Sequence, residues 1–330
     1  MIQGLRIGLG GASLALAMMV AGAAAHAQEF TLRANTIGAE QGIQMEGLRT
    51  LKRLVEEQSG GRVAVSLHHS GSLGEQEDNI ESLQVGTLDI STIETPITTV
   101  DPVLGVLSLP YMFRDRAHVA QVMEGEIGEE IAERLLQHDL RVLGYYEGGF
   151  RQITNNVRPI VTPEDLRGVK MRTPGSQLRI KIFNHYGANA SPLPYAELYS
   201  ALQTGVFDGQ ENPLVEVQAS RFYEVQKYLS LSNHIYTVGF LLMSEQTFQS
   251  LPEDLQQILI EAGREAARAT VAFGEQADQS VVDLAVSRGM EANEVDTEAF
   301  VEASRPIWDE EVPGLGADAT SLVERIVNTR

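Results

Sequence analysis

Residues 201–208 read ALQTGVFD, and residues 82–89 read SLQVGTLD. Leu, Gln, Gly and Asp recur at the same spacing in the two copies, which begin 119 residues apart. Each copy is typical of a last helical turn, a glycine that ends the helix, and then an apolar strand. The shared joint predicts two similar α/β lobes, and clefts between lobes are where small ligands bind. Chance is the alternative, because helix–glycine–strand joints are common.

The first 27 residues have the composition of a secretory signal peptide. A positively charged start at residues 1–6 precedes an uncharged run at 7–24, which is rich in Ala, Leu, Gly, Met and Val. Ala25, His26 and Ala27 then fit the small-x-small rule for signal-peptidase cleavage. We therefore expect cleavage after Ala27 and a mature protein in the periplasm. A membrane anchor is the alternative, because the apolar run reaches the lower length limit of a span.

Composition excludes several classes of protein. The chain has no cysteine, which excludes disulfides, thiolate chemistry and a lipid-anchored mature end. Its 330 residues correspond to about two domains, a size that a core alone can stabilise. The net charge of −20, or −21 once Arg6 is removed, disfavours nucleic acid and anionic membranes. We expect a soluble monomer in which any acidic ligand meets a local cluster of arginine or lysine.

Strand and helix signals alternate along the chain, which indicates α/β lobes with mostly parallel sheets. The predicted strands are 30–36, 62–68, 88–93, 141–146, 169–173, one ending at 208, 235–243 and 290–295. The predicted helices are 45–58, one through Ile80 and Leu83, 117–138, 177–186 and 196–204.

A long helix is predicted between residues 250 and 289, where apolar residues recur every three or four positions. At 1.5 Å per residue it is roughly 55 Å long, so it lies across both lobes. A coiled coil is the weaker alternative, because the apolar seam is rich in alanine. The predicted division gives residues 28–149 plus about 236–275 to lobe I, and 150–235 plus about 276–330 to lobe II. The ligand cleft lies between them, and the first crossing is placed at the glycine pair 148–149.

Two arginines lie where an open α/β sheet binds ligands, beyond the carboxyl ends of its strands. Arg151 follows the glycine pair 148–149, and Arg172 is near the end of the strand 169–173. The planar guanidinium matches a carboxylate through two parallel hydrogen bonds. A surface salt bridge is the alternative for each, because the chain has 45 acidic residues.

Three other side chains are candidates for binding. Asn212 precedes Pro213, which favours an extended backbone from which the amide can donate to an anionic oxygen. Tyr195 can cover an apolar ligand face, or simply pack in the core. Glu94 follows the first repeat and can accept from ligand hydroxyls or an amine, or be a solvated residue.

Catalytic patterns are absent from the sequence. His68 and His69 are adjacent on a predicted strand end, so they face opposite ways and do not form a metal pair. There is no H-E-x-x-H, G-x-S-x-G, P-loop or G-x-G-x-x-G motif. We therefore expect no metal, no cofactor and no enzymatic activity.

Four blocks together resemble the solute-binding component of tripartite ATP-independent periplasmic (TRAP) transporters, over essentially the whole chain after the leader. They are LRGVKMRTP at 166–174, LPYAELYSALQTGVFDGQENPL at 193–214, GSLG at 71–74 and LPYMFRD at 109–115. The resemblance implies a two-lobed receptor that closes over an organic acid and delivers it to a membrane permease of two subunits. It also implies that Arg172 binds the ligand carboxylate, with help from Arg151 and Asn212.

The remaining residues that the resemblance implies are less specific. Tyr195 matches an aromatic residue that packs on the ligand, where sialic-acid receptors commonly have Phe. Asn35 and Glu94 align with first-lobe residues that select the rest of the ligand. Glu94 favours a ligand with hydroxyl or amino groups, because it would repel a second carboxylate. We therefore expect a sugar acid first, and a C4-dicarboxylate or another hydroxy or keto acid next. The alternatives are the binding protein of an ATP-driven transporter and a secreted enzyme with an interlobe active site.

Overall fold

The computed structural model describes Met1 and residues 28–330, so the expected signal peptide and its cleavage site lie outside the described residues. The strands are β1 (Phe30–Asn35), β2 (Val63–His68), β3 (Ile90–Ile93), β4 (Leu140–Asn155), β5 (Lys170–Thr173), β6 (Asn189–Pro192), β7 (Gly209–Pro213), β8 (Tyr228–Leu231), β9 (Tyr236–Ser244) and β10 (Glu291–Glu294). The α-helices are α1 (Ile43–Gln58), α2 (Gln76–Gln84), α3 (Arg116–Met123), α4 (Glu126–Leu136), α5 (Gln177–His185), α6 (Leu198–Gln203), α7 (Leu214–Ala219), α8 (Glu245–Ser250), α9 (Glu253–Ser287), α10 (Thr297–Gly314) and α11 (Ala317–Asn328).

The two lobes are built on the same five-element unit. In lobe I, β1-α1-β2-α2-β3 places its strands in the order β2-β1-β3, and both pairings are parallel. In lobe II, β5-α5-β6-α6-β7 gives the order β6-β5-β7, again with parallel pairings. The predicted α/β fold with two similar lobes is therefore confirmed.

The repeated sequence pattern forms the same joint in each lobe. Gly86 and Gly205 have φ angles of +72° and +73°, the left-handed conformation that glycine adopts without steric cost. The next N–H group folds back onto the preceding helix, from Thr87 to the Ser82 carbonyl and from Val206 to the Ala201 carbonyl, both at 2.9 Å.

The aspartate of each copy ties this joint to the first strand of its own lobe. Asp89 Oδ2 accepts the Arg33 backbone N–H at 2.7 Å, and Asp208 Oδ2 accepts the Lys170 backbone N–H at 2.9 Å. The strands begin one residue after the aspartate, at Ile90 and Gly209, which is later than the sequence predicts. The reason is that the apolar residues before the aspartate bond to the helix end and not to the sheet.

The lobes are joined by two antiparallel strands, β4 and β9. Residues 140–150 of β4 pair with β9 in lobe I, whereas residues 151–155 pair with β7 and β8 in lobe II. The predicted break at the glycine pair 148–149 is instead a β-bulge inside one continuous strand, with Gly149 at a φ of +96°. The crossing thus consists of paired strands that can bend without separating.

The helix α9 spans both lobes, as the sequence predicts. Its 35 residues correspond to about 52 Å. It packs on α1 and β4 near its start, and on α7 and β10 further along. In the described part of the chain, no helix combines the length and the apolar character that a membrane crossing requires.

The contact between α9 and β4 depends on glycine. A Cβ atom added at Gly263 of α9 would lie 2.6 Å from Leu143 Cβ and 2.7 Å from the Leu143 carbonyl oxygen. Alanine favours a helix by about 1 kcal/mol over glycine, but overpacking a core costs about 1–3 kcal/mol. We expect Gly263→Ala to lower the free energy of unfolding by about 1–2 kcal/mol in urea titrations, because a backbone atom cannot move aside.

The matched control for this substitution is Gly314→Ala, at the end of α10. No atom lies within 4 Å of a Cβ added there. We expect the unfolding free energy of this variant to be unchanged or slightly raised. Equal effects of the two substitutions would contradict the close packing of α9 on β4.

The predicted helix 117–138 is wrong in one respect, because it is two helices, α3 and α4, separated by two residues. The chain turns so tightly at Gly125 that a Cβ at Gly128 would lie only 1.9 Å from the Met123 carbonyl oxygen. Apolar spacing alone does not reveal such a break, since the two helices share one buried face.

The C-terminal segment departs from the predicted division of the chain. Phe300 and Ile307 of α10 pack in the core of lobe II, but Leu322 and Ile326 of α11 pack in the core of lobe I. Arg325 of α11 also forms a salt bridge with Glu130 of α4. Residues 276–330 were expected in lobe II as a whole. The amphipathic pattern of α11 shows that it has an apolar face, but not which lobe covers it.

Candidate functional site

A cavity of about 320 Å³ lies between the lobes, which is within the usual size range of small-molecule sites. Five of the six candidate residues predicted from the sequence line it: Arg172, Arg151, Asn212, Tyr195 and Glu94. The other lining residues are Ile37, Gly38, Gln44, Glu75, Gln76, Glu77, Thr95, Pro96, Pro174, Gly175, Pro192, Leu193, Pro194 and Glu216. The structure therefore brings together residues that are far apart in the sequence and belong to both lobes.

Arg172 lies on β5 with only 3% of its surface exposed. Its Nε and Nη2 atoms donate to the Leu193 carbonyl at 2.9 and 2.6 Å, and its guanidinium carbon lies 5.9 Å from the centre of the Tyr195 ring. Among residues 28–330 it forms no salt bridge, and burial lowers the pKa of Arg172 to about 10. The Nη1–Nη2 edge of this buried cation is therefore the one available to an anion.

Arg151 is already paired with a carboxylate. It lies on β4 at the crossing and bonds to the Glu211 carboxylate and carbonyl, with its Nη2 donating to Asn212 Oδ1 at 2.9 Å. Arg179 of α5 donates to the same Glu211 carboxylate at 2.9 Å. Two arginines thus share one buried carboxylate, and Arg172 adds a third positive charge nearby, so this wall of the cavity carries excess positive charge.

The ionisation of this cluster follows from its charges and burial. Burial alone would raise the pKa of Glu211, but the positive charges of Arg151 and Arg179 outweigh it and hold the pKa well below its usual range. Burial lowers the pKa of His234, whose Nε2 lies 3.4 Å from Glu211, so this imidazole is neutral at pH 7. Glu211 is therefore a permanent anion that fixes two of the arginines.

Asn212 is oriented by two neighbours on its lobe. Its Oδ1 atom accepts from Arg151, and its Nδ2 atom donates to Gln210 Oε1 at 2.5 Å. The amide nitrogen carries a second hydrogen, which is the group expected to meet an anionic oxygen in the cavity.

Tyr195 lies beside Arg172 and is anchored through its hydroxyl group. The hydroxyl donates to Glu216 Oε2 and contacts Ser220 Oγ, each at 2.7 Å, and the ring packs edge-on against Phe222. Burial raises the pKa of Tyr195 well above its ordinary value, so the hydroxyl stays protonated. The ring is thus held rigidly in the cavity wall.

Glu94 faces this arginine wall from lobe I. Its Oε1 atom accepts from Gln44 Nε2 at 2.8 Å and from the Tyr146 hydroxyl at 2.9 Å. Its backbone N–H donates to Gln76 Oε1 at 2.6 Å. Among residues 28–330, its Oε2 atom accepts no hydrogen bond, which leaves an acceptor for a ligand hydroxyl.

Asn35 is the one candidate that the structure places outside the cavity wall. It is fully buried at the end of β1, where its Nδ2 atom donates to the Gly74 carbonyl at 3.2 Å and to Asn79 Oδ1 at 3.0 Å. These contacts hold the loop before α2. A residue at a strand end points either to the cleft or into the lobe, and the sequence does not distinguish the two.

Several important residues were missed by the sequence analysis. Arg179 and Glu211 were not selected, although Glu211 lies inside the quoted block at 193–214. Glu216 and Gln44 also line the cavity, and no spacing rule marks them. Residues 28–330 contain no group of three or more acidic or histidine side chains placed to hold a metal ion.

A two-lobed α/β fold with an arginine-lined cavity between the lobes defines a receptor for a small solute. The family described as bacterial extracellular solute-binding protein, family 7 (DctP), matches residues 34–312. This chain belongs to that family. The resemblance to TRAP solute-binding proteins is thereby confirmed.

Individual proteins similar to this chain are also solute-binding proteins. The 2,3-diketo-L-gulonate-binding periplasmic protein YiaO of Escherichia coli K12 is 32% identical over 279 residues, covering 83% of this chain and 85% of the relative. A TRAP periplasmic solute-binding protein from Chromohalobacter salexigens, solved with D-glucuronate, is 32% identical with a TM-score of 0.87, covering 91% of this chain and all of that one. The sugar acid binding protein DctPAm of Advenella mimigardefordensis, solved with galactonate, is 30% identical with a TM-score of 0.88, covering 92% and 99%.

Proposed function

We propose that this protein binds an organic acid, preferentially a sugar acid, through Arg172 and delivers it to a TRAP membrane permease. The observation that carries the proposal is the state of Arg172, a buried cation in the cavity wall without a carboxylate partner among residues 28–330. Buried charges in proteins are normally paired, because removing an ion from water is costly. A ligand carboxylate supplies the missing partner.

The neighbouring residues prepare Arg172 for this role. The Leu193 carbonyl holds its Nε–Nη2 edge, so the Nη1–Nη2 edge can bind both carboxylate oxygens. Arg151 and Asn212 flank the same wall and add a second positive charge and an amide donor. Because these groups are held before the ligand arrives, little conformational entropy is lost on binding.

The local positive charge of this wall allows an anion to bind despite the negative overall charge of the protein. With a net charge of −20, the molecule repels anions at long range. On the lobe II side, Arg151 and Arg172 line the cavity and Arg179 lies behind them, and these three cations outnumber the carboxylates of Glu211 and Glu216. The acidic lining residues Glu75, Glu77 and Glu94 lie on the lobe I side. Water leaves when the lobes close, which strengthens the ion pair. The paired strands β4 and β9 are the place where we expect the lobes to bend.

The cavity wall on the lobe I side favours hydroxyl groups on the ligand. Glu94, Gln44 and Gln76 from lobe I line the cavity and present acceptors and donors. A second ligand carboxylate would meet Glu94, whereas a hydroxyl group would donate to it. The ligands in the names of the three relatives described above, diketogulonate, glucuronate and galactonate, are all acids of oxidised sugars. A sugar acid therefore fits better than a C4-dicarboxylate.

A matched set of ligands tests the proposal in thermal-shift and calorimetric titrations. Galactonate, galactitol and succinate separate the two requirements, because galactitol lacks the carboxylate and succinate lacks the hydroxyl groups. We expect galactonate or glucuronate to stabilise the protein by about 2.7 kcal/mol at a hundred times its Kd. Galactitol should have no effect and succinate a weaker one. Equal stabilisation by galactitol would overturn the proposed role of the carboxylate.

Cellular location and partners complete the proposal. The signal-peptide-like residues 1–27 and a family described as extracellular support a location in the periplasm, where we propose that the receptor acts as a monomer. We propose a membrane permease of two subunits as the partner, because the protein belongs to this family. Because the family and the relatives are solute-binding proteins, we propose that the bound acid is released unchanged. Conversion of galactonate by the purified protein, followed by NMR, would contradict this.

A further inference from the structure

Glu216 occupies an unusual position in the cavity. It lies on α7, shortly after Asn212, and only 6% of its surface is exposed. Its Oε2 atom accepts from the Tyr195 hydroxyl at 2.7 Å. Its Oε1 atom is buried and has no hydrogen-bond partner among residues 28–330. Leaving a buried carboxylate oxygen without a donor is costly, so such an atom in a ligand cavity points to a donor on the ligand.

The surroundings of Oε1 show which part of the ligand it would meet. A Cβ atom added at Gly42 would lie 3.0 Å from Oε1, so this oxygen packs against lobe I at the start of α1. Gly42 is the N-cap of α1 and provides no side-chain cap. The positive end of this helix stabilises a negative charge nearby. Glu216 therefore lies where the two lobes contact each other.

No arginine, lysine or histidine of residues 28–330 forms a direct salt bridge with Glu216, although Arg151 is close enough for its charge to act on this carboxylate. Burial raises the pKa of Glu216, the Tyr195 hydrogen bond lowers it, the charge of Glu94 raises it, and the nearby Ile43 backbone N–H and the charge of Arg151 lower it. Glu94 also lines the cavity and has a free Oε2 atom. Two acidic side chains with free oxygens thus share the cavity with the arginine wall.

We propose that Glu216 determines ligand specificity by accepting a hydrogen bond from a ligand hydroxyl through Oε1. The ligand class is then a monocarboxylate with several hydroxyl groups, held by Arg172 at its carboxylate and by Glu216 and Glu94 at its hydroxyls. A dicarboxylate is disfavoured, because its second carboxylate has no donor to offer and is repelled by both acids. This inference rests on the proposed function, which it makes more specific.

The test is the effect of Glu216→Gln on the preference between galactonate and succinate. The amide keeps the size of the side chain and still offers an oxygen to Tyr195, but it replaces the free acceptor with a donor. We expect the Kd of galactonate to rise at least tenfold and the Kd of succinate to stay equal or to fall. Isothermal titration measures both, with displacement titration where binding is weak.

The control is Glu224→Gln, which removes the same charge from an exposed side chain of lobe II outside the cavity wall. It should leave both Kd values unchanged within threefold. If Glu216 only supports the fold, Glu216→Gln would weaken both ligands equally, and an unchanged ratio of the two Kd values would overturn the inference. If Glu216→Gln does not fold, Glu216→Asp provides the same test, because its shorter side chain should lose galactonate affinity at least tenfold without gaining succinate affinity.

The outcomes separate this inference from the proposed function. If the wild-type protein binds no organic acid, the proposed function fails and the inference fails with it. If the wild-type protein binds galactonate but the Kd ratio is unaffected in Glu216→Gln, only the role of Glu216 is refuted.

Discussion

Arg172→Ala should weaken the binding of a sugar acid at least 30-fold, corresponding to more than about 2 kcal/mol. The substitution removes the one buried cation of the cavity wall that has no carboxylate partner among residues 28–330. The ligand carboxylate would then be transferred from water to a site without its counter-ion. Calorimetric titration with galactonate or glucuronate gives the change in Kd directly.

Arg172→Lys refines this prediction. Lysine keeps the positive charge but cannot donate to the Leu193 carbonyl and to both carboxylate oxygens from one planar group. We expect an affinity between those of the wild type and Arg172→Ala. Arg167→Ala is the matched control, because Arg167 is exposed on the same lobe and lies outside the cavity wall. Affinity within threefold of wild type in Arg172→Ala would refute the assignment.

Glu211→Gln should lower the free energy of unfolding by about 3–5 kcal/mol, the usual cost of breaking a buried ion pair by removing one partner. The substitution leaves Arg151 and Arg179 buried without their shared carboxylate. Both guanidinium groups would then be desolvated cations with too few acceptors. Urea unfolding followed by circular dichroism measures the loss, and binding of the acid should weaken as well, because Arg151 loses its anchor.

A second substitution tests whether the loss of stability comes from the unpaired arginine charges or from the changed shape of the side chain at position 211. Adding Arg179→Met to Glu211→Gln removes one of the two unpaired cations, so the double variant should be more stable than the sum of the single effects predicts. Glu197→Gln is the control, since Glu197 is exposed and forms no salt bridge within the described residues. A loss below about 1 kcal/mol in Glu211→Gln would show that Glu211 is not the anchor of this cluster.

The fold was predictable from the sequence wherever a local pattern determines a local structure. The glycine–aspartate joints at 82–89 and 201–208 predict the lobes because each requires a left-handed residue and a strand start in the same order. The length of α9 follows from its uninterrupted apolar spacing. The packing of α11 on lobe I was not predictable, because an apolar face does not identify its partner.

The candidate site was predictable to the extent that binding residues follow strand ends. Arg172, Asn212 and Glu94 were found in this way, and the structure places all three in the cavity wall. Asn35, which was selected only through the family resemblance, also lies at a strand end but is turned into lobe I. The direction of a side chain at a strand end depends on the twist and register of the sheet, which one-dimensional patterns do not contain.

Glu216 shows the limit of such reasoning most clearly. Its position on α7 gives no signal in the sequence, because an acidic residue in a first helical turn is ordinary. Only the three-dimensional arrangement shows that Oε1 is buried, without a partner among residues 28–330, and directed at the opposite lobe. Burial and hydrogen-bond accounting therefore add functional information that spacing rules cannot supply.

The central claim is that the ligand carboxylate binds Arg172 inside the cleft between the lobes. A crystal structure of the protein with galactonate tests it most directly. We predict both carboxylate oxygens within about 3 Å of the Nη1 and Nη2 atoms of Arg172. A carboxylate bound elsewhere, with Arg172 still held only by the Leu193 carbonyl, would contradict the claim.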